Sequence, residues 1–120
     1  MNKLEMRIIS VIIREVSLFF MMHGLTDFDI HTEIRKDKIL LTTKTKLLPV
    51  DLVEHVREKM DRPRELEIET YGWELIGDID SKSELEIVGH LIDEVVLQSK
   101  NGNTVMTFIR QNHYKEKKER

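Results

Sequence analysis

Phe28-Asp29-Ile30-His31-Thr32-Glu33-Ile34 places an apolar or β-branched residue at every second position. That is the two-residue period of a strand with one face in a core. Lys36-Asp37-Lys38 supplies a turn. Ile39 to Lys46, rich in Thr and Leu, reads as the returning strand, so residues 28–46 are expected to form a β-hairpin.

Upstream of the hairpin, Leu4 to Gly24 reads as one long helix. Ile8, Ile9, Ile12, Ile13, Val16, Phe19, Phe20 and Met22 cover more than one helical face, the pattern of a helix buried on several sides. Gly24 is placed to stop it, because glycine accepts the left-handed conformation of a helix end. Downstream, Pro49 breaks the second strand, and Asp51 is expected to cap a helix running to about Met60 with Leu52, Val53, Val56 and Met60 on one side.

Within Arg64 to Asp80 the run Leu66-Glu67-Ile68-Glu69-Thr70 alternates again. One or two short strands are expected, in a hairpin turning near Gly72, with Tyr71 and Trp73 flanking the turn. Ser83-Glu84-Leu85-Glu86 has the spacing of a capping box for a helix ending near Leu91 or Ile92. Val95 to Ser99, Asn101-Gly102 and Thr104 to Arg110 then read as strand, tight turn and strand. Helices interleaved with two antiparallel hairpins predict an α+β fold, a two-layer sandwich with helices on one face of a largely antiparallel sheet.

With 120 residues, the chain suits one domain, expected over 1–111, followed by a charged, frayed tail at 112–120. A formal net charge of −3 argues against a nucleic-acid partner, which requires a concentrated basic surface. The sequence contains no cysteine, which excludes disulfides, thiolate metal sites and thiol catalysis. The five histidines, His23, His31, His55, His90 and His113, show no ligand spacing on one element, so neither a metal nor another cofactor is expected. Arg14 and Glu15 interrupt the apolar stretch from Ile8 to Met22, which argues against a membrane span. No secretory signal is visible, and a cytoplasmic protein is expected.

Three stretches resemble the GHKL superfamily, the ATPase fold shared by anti-sigma serine kinases, histidine kinases, Hsp90-type chaperones and type II topoisomerases. Glu15-Val-Ser-Leu-Phe19-Phe-Met-Met-His23-Gly24 is similar to the family's N-box helix, whose pattern is Glu, three residues, Asn, three residues, His and a small residue. Leu85-Glu-Ile87-Val88-Gly-His-Leu91-Ile-Asp93-Glu94-Val95 resembles the helix after the second glycine box and the Asp-Glu-Val entry to a strand. Lys100-Asn-Gly102-Asn-Thr104-Val105 is similar to the family's last hairpin. The resemblance runs from about Leu4 to Arg110 and is nearest to the anti-sigma serine kinases. Relative to them, the chain starts at the N-box helix.

What the resemblance implies about chemistry is mostly loss. The N-box Asn, which in the family binds the Mg²⁺ bridging the nucleotide phosphates, is Phe19 here, and a phenyl ring offers no oxygen to a hard cation. Of the Asp-x-Gly-x-Gly box that reads adenine, Thr45 takes the Asp position, Leu47 the first Gly and Pro49 the second. Neither Leu47 nor Pro49 permits the close backbone approach of glycine. Lys82 and Glu84 stand where glycines would cradle phosphate, and a carboxylate there repels a triphosphate. Glu15 stands where the kinases carry their general base; read by itself it is a solvated or hydrogen-bonded helix residue, and a base without metal or nucleotide has nothing to act on.

The expectation is therefore a non-catalytic, GHKL-like module that has lost ATP binding and holds a protein partner or a second copy of itself. Met21, Met22, Leu25, Tyr71 and Trp73 are its candidate contacts. The alternatives are a divergent serine kinase or ATPase using Glu15, and a domain holding some other small ligand in the old pocket.

Overall fold

A computed structural model describes residues 1–61, 64 and 85–111. The fold is an α+β two-layer sandwich. Its described elements are α1 (Lys3–Met22), β1 (Asp29–Ile34), β2 (Lys38–Lys46), α2 (Val50–Met60), α3 (Glu86–Leu91), β3 (Glu94–Lys100) and β4 (Asn103–Gln111). The four strands form one antiparallel sheet in the order β1-β2-β4-β3.

Helix α1 begins where Asn2 Oδ1 accepts the Glu5 amide at 2.8 Å. It ends in a Schellman motif: the Gly24 amide donates to the Met21 carbonyl at 3.0 Å and the Leu25 amide to the Phe20 carbonyl at 2.9 Å, with Gly24 at φ +80°. The β3–β4 turn has Asn101 at φ 52° and Gly102 at φ 78°, both left-handed as a two-residue type I′ hairpin requires.

Two helix starts differ from the sequence reading. Asp51 does not cap α2. The cap position is Pro49, with no side-chain bond, and Asp51 lies inside the first turn, where its carboxylate still faces the positive end of the helix dipole. Ser83 of the expected capping box lies outside the described residues, and the helix cap is found two positions later. Leu85 holds the cap position at φ 62°, so Glu86 is the first helical residue rather than the third. The left-handed conformation costs a non-glycine residue on the order of 1–2 kcal/mol, and Leu85 is buried in the core that retains it. The hairpin expected beyond Arg64 and the charged tail lie outside the described residues.

The sheet's period of two divides it cleanly. Ile39, Leu41, Thr43 and Thr45 of β2 pair with Arg110, Phe108, Met106 and Thr104 of β4, all turned under the helices. Ile8, Ile12, Val16, Phe19 and Phe20 of α1, Val56 and Met60 of α2, and Val88 and Leu91 of α3 complete the core with them. The intervening sheet residues face the other way. Among the described residues no helix is long and apolar enough to cross a membrane.

Candidate functional site

The resemblance directs attention to the face of α1 that carries Glu15, Phe19 and His23, four residues apart and so in line on a helix. Phe19 is 1% exposed. Its ring lies 4.8 Å from that of His23 and 6.2 Å from that of His55 on α2, nearly parallel to the latter at 11°. Phe20 extends the cluster, 5.9 Å from Phe19 and 5.0 Å from Phe28. His55 Nε2 is buried with no hydrogen-bond partner. Below Phe19, the half-buried Glu15 places Oε2 3.6 Å from Arg14 Nε.

The end of β2 is closed by its own backbone. Thr45 is buried and its hydroxyl donates to the Lys46 carbonyl at 2.9 Å. Its register partner Thr104 accepts the Leu48 amide on its hydroxyl oxygen at 2.9 Å, and the Leu47 amide donates to the Gly102 carbonyl at 3.0 Å. The connection from β2 to α2 is thus pinned to the β3–β4 turn. The Leu47 side chain is 58% exposed and Pro49 is exposed at the helix cap. The structure therefore brings Phe19, His23 and His55 together, with Glu15 one turn earlier on the same face of α1. Among the described residues no three His, Asp or Glu side chains converge to hold a metal ion.

Of the expected contact residues, Met21 and Met22 are exposed, Met22 by 64%, whereas Leu25 is half-buried and packs on the core. Tyr71, Trp73, Lys82 and Glu84 lie outside the described residues.

A second polar constellation was not anticipated. Arg110, 1% exposed, donates from Nε and Nη2 to the two oxygens of buried Glu5, at 3.1 and 2.8 Å, and from Nη1 to the Leu91 carbonyl at 2.7 Å. A forked guanidinium satisfying both carboxylate oxygens is the geometry in which a buried pair is tolerated. The cleft beside it, lined by Ile9, Ile12, Ile39, Leu41, Ile92 and Phe108, is about 10 Å³, room for no more than about one water. Nearby, Asp93 accepts the Gln111 amide at 2.6 Å and Arg64 Nη1 at 3.2 Å. The pair at Glu5 is a fastener rather than a site: its polar atoms face one another. A signal for it existed in the alternation Thr104, Met106, Phe108, Arg110, which turns a guanidinium inward.

In comparisons with protein-family models, with curated proteins and with solved structures, nothing matches this chain.

Proposed function

We propose that the chain is a non-catalytic, GHKL-like protein-binding or regulatory module of the anti-sigma kind that does not bind ATP. Phe19 carries this reading. A buried phenyl wedged between His23 and His55 occupies the helical position from which the family's Asn would reach Mg²⁺, and it supplies bulk where a ligand oxygen is required. Thr45 buried behind its own hydrogen bond, with Leu47 and Pro49 in place of the glycines, adds to it. Exposed Met21 and Met22 suit a protein partner, since methionine adapts its shape to varied apolar surfaces; Leu25, Tyr71 and Trp73 complete the candidate contacts.

Mg-ATP is expected to leave the melting temperature unchanged. A true site at ligand a hundredfold above its dissociation constant would add about 2.7 kcal/mol of stability, and a rise of that size would refute the reading. The second reading, a divergent serine kinase or ATPase, draws on half-buried Glu15 one turn before Phe19. It requires Mg-ATP-dependent phosphate release that is abolished in Glu15→Gln.

A further inference from the structure

The outer faces of the two longer helices differ in charge. On α1 the exposed charged residues are Lys3, Arg7 and Arg14, and none of its exposed residues is acidic. Met6, Leu18, Met21 and Met22 are exposed beside them, the last three near the C-terminal end. On α2 and its C-cap the exposed charges are Asp51, Glu54, Glu58 and Asp61 with one base, Arg57; Lys59 is half-buried. Val50, 74% exposed, opens that helix, and exposed Leu47 precedes it. Each face has one pair of its own: Arg14 lies 3.6 Å from half-buried Glu15, and Arg57 3.6 Å from Glu54. Discounting both pairs leaves Lys3 and Arg7 on α1 and Asp51, Glu58 and Asp61 on α2, so the contrast survives. Helix α3, which touches both, adds only half-buried Glu86 and His90. Strand register sets the directions of the two helices. Asp29 at the start of β1 pairs with Lys44 near the end of β2, so α1 arrives at the end of the sheet from which α2 departs. At the other end Glu5 of α1 bonds Arg110, and Arg64 beyond α2 bonds the Gln111 carbonyl. The two helices therefore run oppositely over one side of the sheet.

We propose that the chain forms a homodimer in which α1 of each copy lies against α2 of the other, closed by a two-fold axis that runs between the two helices and along them. A uniformly anionic surface, such as a charged bilayer, would suit α1 and be repelled by α2, whereas a second copy is complementary to both. Rotation about such an axis leaves each residue at its own level, and it sets α1 antiparallel to the α2 it meets. The stacking of Phe19 on His55 fixes the levels within one copy. Met21 and Met22 stand level with the first turn of α2, Arg14 with its last turn, and Arg7 just beyond it. In the dimer Met21 and Met22 therefore meet the partner's Val50, Arg14 meets the partner's Glu58, and Arg7 reaches the partner's Asp61. Helices of 20 and 11 residues, about 10 Å across and 1.5 Å per residue, offer roughly 450 Å² per copy. A total of roughly 900 Å² is the size of a weak association, concentration-dependent and sensitive to salt. The inference rests on the reading of the chain as a protein-binding module and names its partner; the loss of ATP binding is tested separately, by melting with Mg-ATP.

Sedimentation equilibrium of the full chain tests it by charge exchange. The wild type is expected to dimerise, less so as ionic strength rises. Arg7→Glu/Arg14→Glu sets acid against acid at both contacts of its own dimer, and Glu58→Lys/Asp61→Lys sets base against base. Each alone is expected to associate at least about tenfold more weakly than wild type, and their equimolar mixture, in which both contacts are again complementary, to recover a dimer. Glu94→Lys, on the opposite side of the sheet, is expected to associate as wild type does. Single Arg14→Glu and Glu58→Lys chains, mixed in the same way, replace any double variant whose circular dichroism shows loss of fold. A monomeric wild type at millimolar concentration, helix variants that dimerise as wild type does through another surface, or folded variants whose mixture stays monomeric would each overturn the proposal.

Discussion

At the β1–β2 turn, Arg35 Nε donates to Glu33 Oε2 at 2.5 Å on the protein surface. That hydrogen bond, reinforced by the charges of Arg35, His31 and Lys38, holds the Glu33 carboxyl below its ordinary value. Because the folded-state value is depressed, the stabilisation is fully present above the unfolded-state value and is lost as pH falls through the lower, folded-state one. An NMR titration of the Glu33 side-chain carboxyl is expected to give a midpoint below that of an unperturbed glutamate and to move upward in Arg35→Ala. An unmoved midpoint would mean that the two side chains do not meet in solution.

Where α1 and α2 meet, Phe19 holds one helix against the other through His55. Phe19→Asn removes a buried ring and leaves an amide without partners, so it should cost roughly 3 kcal/mol or more in urea unfolding. It should not create Mg-ATP binding, because Leu47 and Pro49 remain. A cost below about 1 kcal/mol would show that the junction is not packed as described. The position of Phe19 was legible in the sequence, since the spacing of residues 15, 19 and 23 fixes a common helical face whatever the tertiary structure. The strands were legible too, because a period of two and an Asn-Gly turn are local signals. Helix starts were not: whether Asp51 or Pro49 occupies the cap depends on the dihedral path of the chain leaving β2, and Leu85 takes a conformation that side-chain preference disfavours. His55 stacking could not be foreseen from spacing, because it depends on how two helices pack.

Across the whole molecule, Glu5 near the start of α1 and Arg110 near the end of β4 are joined although 105 positions apart. Removing one partner leaves the other charged and buried, so Arg110→Met should destabilise by about 3–5 kcal/mol, whereas Glu5→Leu with Arg110→Met should come within about 1 kcal/mol of wild type or exceed it. Chemical denaturation of the three chains checks this, and additive losses would show that the two side chains do not act as a pair. The same span has a kinetic consequence. Closing so long a loop costs chain entropy, a cost that is reduced once β4 has paired with β2 and β3. The pair is therefore expected to form after the folding barrier. Weakening it with Glu5→Gln should leave the refolding rate nearly unchanged and accelerate unfolding, so that it is the lifetime of the native molecule, and not the speed of its formation, that this fastener sets.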